Sequence, residues 1–146
     1  MIYFDAAYIA KCYLNEPGAE RVRAVAVQAD GLASCELARV EFASILKRHV
    51  RERHITRREF TGILREFEED VANGVWHWHA MTSALVEKAR QTVLQLPATV
   101  FLRSVDALHL ACAEENGFRE IYTNDRHMLA AARHFRLAGI DVVGTP

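Results

Sequence analysis

The chain has no glycine-rich phosphate loop, no nucleophile elbow and no dinucleotide fingerprint, which removes the commonest nucleotide-binding and serine-hydrolase patterns. It is short of cysteine. Cys12, Cys35 and Cys112 are widely spaced and form neither a C-x-x-C pair nor a Cys/His ligand pattern, so zinc sites and a disulfide framework are not expected. Reduced core thiols are. No apolar run approaches the ~20 residues of a membrane helix, and Met1 leads into an apolar stretch without a basic leader. The expectation is a soluble, cytoplasmic protein with no membrane partner. Net charge is only -1, so composition does not mark a nucleic-acid binder and local charge has to decide. Repeats, low-complexity tracts and Pro/Gly/Ser-rich linkers are also missing, so residues 1–146 are expected to form one domain.

What is present is a chain of 146 residues with 51% hydrophobic content, enough to bury roughly 70% of its unfolded surface. Met1 to Phe4 predicts a buried strand. Ala6, Ile9, Cys12 and Tyr13 follow at helical spacing until Asn15-Glu16-Pro17-Gly18 interrupts. Val22, Val25, Ala26 and Ala29 mark a second helix, and Leu32 to Cys35 a short strand. A long helix from Glu36 and a partner from about Thr56 to Asn73-Gly74 predict a protruding helical arm. The period-2 run Val75-Trp76-His77-Trp78-His79 predicts an edge strand. Thr82 to Gln95 is helical, and Ser104 is placed to cap a very apolar helix from Val105 to about Glu115 that packs on both sides. A strand at Ile121 to Thr123, a helix from Arg126 to Leu137 and a last strand at Ile140 to Val143 complete the chain. Strands alternating with helices predict a three-layer α/β fold with a parallel sheet.

Four carboxylates stand at the joints of this pattern. Asp5 ends the first strand, Asp125 follows Ile121-Tyr122-Thr123, Asp106 lies in the first turn of the apolar helix, and Glu41 is on the long helix. Each has an ordinary explanation. Asp5 and Asp125 are placed to cap helices, and the helix dipole stabilises an anion at Asp106. Glu41 shares the i, i+4, i+8 row with Leu37 and Ile45, so it points toward the core, where an ion pair with Arg103 or Arg126 would satisfy it. Taken together the four are harder to dismiss, because strand ends and helix N-termini converge on the edge of a parallel sheet where ligands bind. Carboxylates within ~6 Å of one another would repel by roughly 3 kcal/mol per pair at an effective dielectric of 20, and so would need a counterion. Oxygen ligands without thiolates or paired histidines favour Mg²⁺ or Mn²⁺. A cation there would activate water for in-line attack on a phosphodiester.

At this point the sequence resembles the PIN-domain nucleases, most closely the VapC toxins of bacterial toxin-antitoxin modules. The stretches MIYFDAAYIAKCYLNEPGAE, LARVEFASIL, SVDALHLACA and IYTNDRHMLAAA carry the resemblance in that order, across nearly the whole chain. It implies a PIN-like α/β/α sandwich with a five-stranded parallel sheet, and it places Asp5, Glu41, Asp106 and Asp125 on the family's acidic positions. It also implies a Mg²⁺- or Mn²⁺-dependent endoribonuclease, a VapB-like antitoxin that blocks the site, and a homodimer. Asp5 and Asp106 are then the principal metal ligands, Glu41 a ligand or orienter of the attacking water, and Asp125 the acid that completes the cage. One departure is that Ala6-Ala7 follows Asp5 where the family often has Ser or Thr, and Thr123 is the candidate to supply the missing hydroxyl.

RNA contact needs positive charge, which the arm offers at Lys47, Arg48, Arg51, Arg53, Arg57, Arg58 and Arg65. The ordinary alternative is a solvated helix pair balanced by Glu66, Glu68, Glu69 and Asp70. His77 and His79 are expected on a wet strand face, Trp76 and Trp78 in the core, and His109 and Cys112 as packing residues. Two other functions remain open: a catalytically inactive PIN-like RNA-binding module, and a metal-dependent phosphatase of Rossmann-like fold.

Overall fold

A computed structural model describes residues 1–144. Strands β1 (Ile2–Tyr3), β2 (Leu32–Cys35) and β3 (Trp76–His79) form a three-stranded parallel sheet in the order β1-β2-β3. Strands β4 (Glu120–Tyr122) and β5 (Ala138–Ile140) form a second, two-stranded parallel sheet. The two meet at one bridge, Phe4 to Tyr122, reinforced by the Asp5 N–H donating to the Tyr122 carbonyl at 3.2 Å. The expected five parallel strands are thus present as sheets of three and two. The reason is local: β1 has two residues and β4 three, and Asp5 leaves the ladder at once to start a helix.

Among the described residues seven α-helices cover these strands: α1 (Ala6–Tyr13), α2 (Ala19–Gln28), α3 (Leu37–Arg51), α4 (Arg57–Ala72), α5 (Ser83–Gln95), α6 (Ser104–Glu115) and α7 (Arg126–Ala131). Alternation along the strands divides the core in two. Phe4 and Leu32 face a cluster built with Tyr8, Ile9, Val22, Phe42 and Leu46, which belong to α1, α2 and α3. Tyr3, Ala33 and Cys35 face the other cluster, where α5, α6 and α7 contribute Leu85, Leu110 and Met128. α6 buries Ala107, Leu110, Ala111, Cys112 and Ala113 with little amphipathic bias, as expected for a helix packed on more than one side.

The arm is α3 and α4. Its two helices are joined by the tilted rings of Phe42 and Phe67, whose centroids lie 4.3 Å apart, and its base is tied to the body by Tyr13, whose hydroxyl donates to Asp70 at 2.6 Å and accepts from the Trp76 indole at 2.7 Å. Thr56 and Glu59 form a complete capping box at the start of α4. β3 is the edge of its sheet, with Trp76 buried and His77 exposed, as the alternation predicts. No helix among the described residues is long and apolar enough to cross a membrane.

Three local expectations need correction. Ser104 does not cap α6: the N-cap is Arg103, in extended backbone, and it makes no side-chain capping bond. The helix expected from Arg126 to Leu137 is α-helical only to Ala131 and then tightens into a 3-10 turn over Ala132–Phe135, ended by left-handed Arg136. The last strand ends at Ile140 and does not extend to Val143, because Asp141 Oδ1 accepts the N–H groups of Val143 and Gly144 at 2.8 and 3.0 Å and turns the chain.

Candidate active site

Asp5, Glu41, Asp106 and Asp125 all line one cavity of about 370 Å³, together with Arg103 and His109. The topology accounts for the meeting. β1 and β4 are bridged side by side, so the residues that follow them, Asp5 and Asp125, emerge on the same edge. α6 brings Asp106 there from its first turn, and α3 brings Glu41.

Asp5 is both a site residue and a helix cap. Its Oδ1 accepts the Tyr8 N–H at 2.8 Å and its Oδ2 accepts the Thr123 hydroxyl at 2.5 Å. Thr123 also accepts the Asp125 N–H at 3.0 Å, so one hydroxyl links the two strand-end acids. The hydroxyl missing at Ala6-Ala7 is therefore supplied from β4's end. Asp5 is only 4% exposed, and burial raises its pKa from 3.8 to about 6 against the opposing hydrogen bonds from Thr123 and Tyr8.

Glu41 pairs with neither Arg103 nor Arg126, the partners expected from sequence. Its Oε2 meets His109 Nε2 at 2.7 Å. The other face of that imidazole approaches the Tyr3 hydroxyl at 3.1 Å and the Cys35 thiol at 3.6 Å. Burial alone would lower the His109 pKa, but its hydrogen bonds to Cys35 and Glu41 outweigh burial and raise it. His109 is thus more than a packing residue. The sequence signal was its position three residues after Asp106, which places both on one face of α6.

Asp106 and Asp125 share a single partner. Arg103 Nε donates to Asp106 Oδ2 at 2.7 Å and its Nη2 to Asp125 Oδ2 at 2.7 Å. The second oxygen of Asp125 caps α7, accepting from His127 and Met128 N–H groups at 2.7 and 3.1 Å.

Four carboxylates on one cavity, with no thiolate among them, are a donor set suited to a hard divalent cation. As they stand, however, no three His, Cys, Asp or Glu groups among the described residues are drawn together as a metal cage. Arg103 and His109 occupy three of the four acids. The donors fit Mg²⁺ or Mn²⁺ in kind.

A larger cavity of about 1390 Å³ lies between the α1–α2 turn and the arm. It is a groove lined by charges of both signs, including Lys11, Arg65, Glu16 and Glu66, and it lacks the four acids. Arg48 and Asn124 line both cavities and so join them. Lys47, Arg48, Arg51, Arg53, Arg57, Arg58 and Arg65 are all exposed. Part of their charge is neutralised locally, with Arg51 3.7 Å from Glu52 and Arg65 3.8 Å from Glu69.

No curated protein sequence matches the chain. Among solved structures it is similar to Mycobacterium tuberculosis VapC20, a toxin that cleaves the sarcin-ricin loop, with a TM-score of 0.66 and 18% identity over 90% of this chain and 95% of that one. At that identity the likeness is one of fold. The PIN domain family matches residues 2–134, which takes in every strand but the last and all four acids of the cavity. The chain belongs to the PIN domain family.

Proposed function

We propose that this protein is a divalent-metal-dependent endoribonuclease and the toxin of a toxin-antitoxin pair. The observation that carries this is the meeting of Asp5, Glu41, Asp106 and Asp125, from four separate elements, on one cavity of a PIN domain. Asp5 and Asp106 are the principal ligands for Mg²⁺ or Mn²⁺, Glu41 a ligand or orienter of the attacking water, and Asp125 the supporting acid. The cation supplies the Lewis acidity that phosphodiester hydrolysis needs.

The chain's own residues do the rest. The Thr123 hydroxyl donates to one oxygen of Asp5 and the Tyr8 N–H to the other, which fixes this carboxylate at the cavity wall. His109 holds Glu41 against α6. Exposed arm residues Lys47, Arg48, Arg51, Arg53, Arg57 and Arg58 attract the RNA backbone, and Arg48 stands where the groove opens into the acid cavity. The groove beside the arm is also a surface for a VapB-like antitoxin. VapC20, similar in fold, is a toxin that cleaves the sarcin-ricin loop, which supports reading this chain as a cleaving toxin. A homodimer working in the cytoplasm completes the proposal.

The test is cleavage of RNA by the purified chain with Mg²⁺ or Mn²⁺. Asp5→Asn and Asp106→Asn should each lose more than about a hundredfold, since removing a ligand costs more than removing its outer support. Variants that cleave as well as the parent would sink the assignment.

A further inference from the structure

Among the described residues, Arg103 is the one basic group that touches two acids of the cavity. Its Nε and Nη2 lie 2.7 and 3.4 Å from the two oxygens of Asp106, and the same Nη2 lies 2.7 Å from Asp125 Oδ2. The bonded oxygens are the ones a cation would need. Asp125 Oδ1 is already committed to the N–H groups that start α7, which leaves Oδ2, the oxygen Arg103 takes, as its free donor.

Its setting also allows the guanidinium to move. The Arg103 side chain is 59% exposed, against 10% for Asp106 and 25% for Asp125, so it can swing away without opening the core. Ion pairs exposed to this extent are weakly held. A divalent cation brings twice the charge to the same oxygens. Arg103 is also the N-cap of α6 without capping it through its side chain, so no helix bond is lost when the side chain turns.

Once freed, the group has a use. Four carboxylates and a single divalent cation leave the cavity short of positive charge, which would repel an anionic phosphodiester. Arg103 and Arg48 both line that cavity. A planar guanidinium with five donors engages phosphate through two parallel hydrogen bonds, which a lysine cannot do.

We propose that Arg103 is a substrate-phosphate ligand held in store by Asp106 and Asp125, and that loading of the divalent cation releases it to the scissile phosphate. This rests on the metal-dependent ribonuclease proposed above and adds a residue to it.

The experiment has two readouts on the full chain. Binding of Mn²⁺ alone is measured by calorimetry without RNA, and RNA cleavage is measured at saturating Mn²⁺, for the parent, Arg103→Ala and Arg103→Lys. Arg103→Ala should bind Mn²⁺ about tenfold more tightly, because its internal competitor is gone, and yet show a kcat/KM for RNA at least about tenfold lower. Arg103→Lys, which keeps the charge without the fork, should fall between the two in both measurements.

Weaker or unchanged Mn²⁺ binding by Arg103→Ala overturns the proposal, because the arginine would then be arranging the acids and not competing for them. Tighter binding with undiminished cleavage also overturns it, since Arg103 would be a counterion only. If the parent binds Mn²⁺ and cleaves while Arg103→Ala matches it in both, this inference alone falls. If the parent does neither, the ribonuclease proposal falls with it.

Discussion

Asp5 and Glu41 are held by partners from the core, whereas Asp106 and Asp125 share one solvent-exposed arginine. Thr123 is fully buried and His109 nearly so, and both make bonds on two sides. Arg103 is mostly in water. The two halves of one cavity therefore differ in stiffness, and the difference teaches how an acidic site survives without its cation. One half neutralises charge by burial and fixed hydrogen bonds, and the other by a detachable counter-charge.

The largest effect should come from the stiff half. Asp5→Asn is expected to abolish cleavage while leaving the metal-free fold as stable as the parent, or more so, at neutral pH. The sign follows from linkage. With a folded pKa of about 6 against an ordinary 3.8, Asp5 holds its proton more tightly folded than unfolded. Its favourable contribution is complete below about 3.8 and is lost as pH rises through about 6, a swing of about 3 kcal/mol. Chemical denaturation of the metal-free protein between these pH values should show that decline in the parent and not in Asp5→Asn. A variant that is less stable than the parent at pH 7 would mean the buried carboxylate is not a strained group.

His109 comes next. His109→Leu should cut cleavage by about tenfold to a hundredfold and weaken Mn²⁺ binding, while His109→Gln, which can still donate to Glu41, should recover part of both. Equal losses in the two variants would show that ring packing matters and the hydrogen bond does not. Thr123→Val removes, at almost constant volume, the hydroxyl that donates to the Asp5 carboxylate and accepts the Asp125 backbone N–H. It should destabilise the fold by about 1 to 3 kcal/mol in urea denaturation and slow cleavage by about tenfold. An unchanged midpoint would break the claim that this half is stiff.

The smallest effect belongs to the arm. The double charge reversal Arg51→Glu with Arg58→Glu should raise KM for RNA several-fold and reduce the slope of log affinity against log salt by about two, with kcat preserved. A fall in kcat instead would tie the arm to the chemistry.

Much of this was legible in the residues because it depends on short-range rules. Polar termini and apolar periodicity mark most helices, and Asp5, Thr56, Thr82 and Asp125 occupy the cap positions their side chains suit. Boundaries failed where a side chain competed with the ladder. Asp141 binds Val143 and Gly144 and stops β5, although Ile140-Asp141-Val142-Val143 has strand composition. The arginine expected beside Glu41 failed for a different reason, since charge complementarity names candidates and geometry selects among them.

By itself, the sequence determined which residues carry charge at element ends, because caps, strand ends and periodicity are properties of a few neighbouring residues. It thereby singled out Asp5, Asp106 and Asp125, and the helical row shared with Leu37 and Ile45 singled out Glu41. Only the tertiary structure decided their partners: Thr123 is 118 residues from Asp5, His109 is 68 from Glu41, and Arg103 reaches 22 residues to Asp125. Contacts of that range depend on how α6 and the two small sheets pack around the cavity, and no local pattern encodes which of several cations or hydroxyls will arrive.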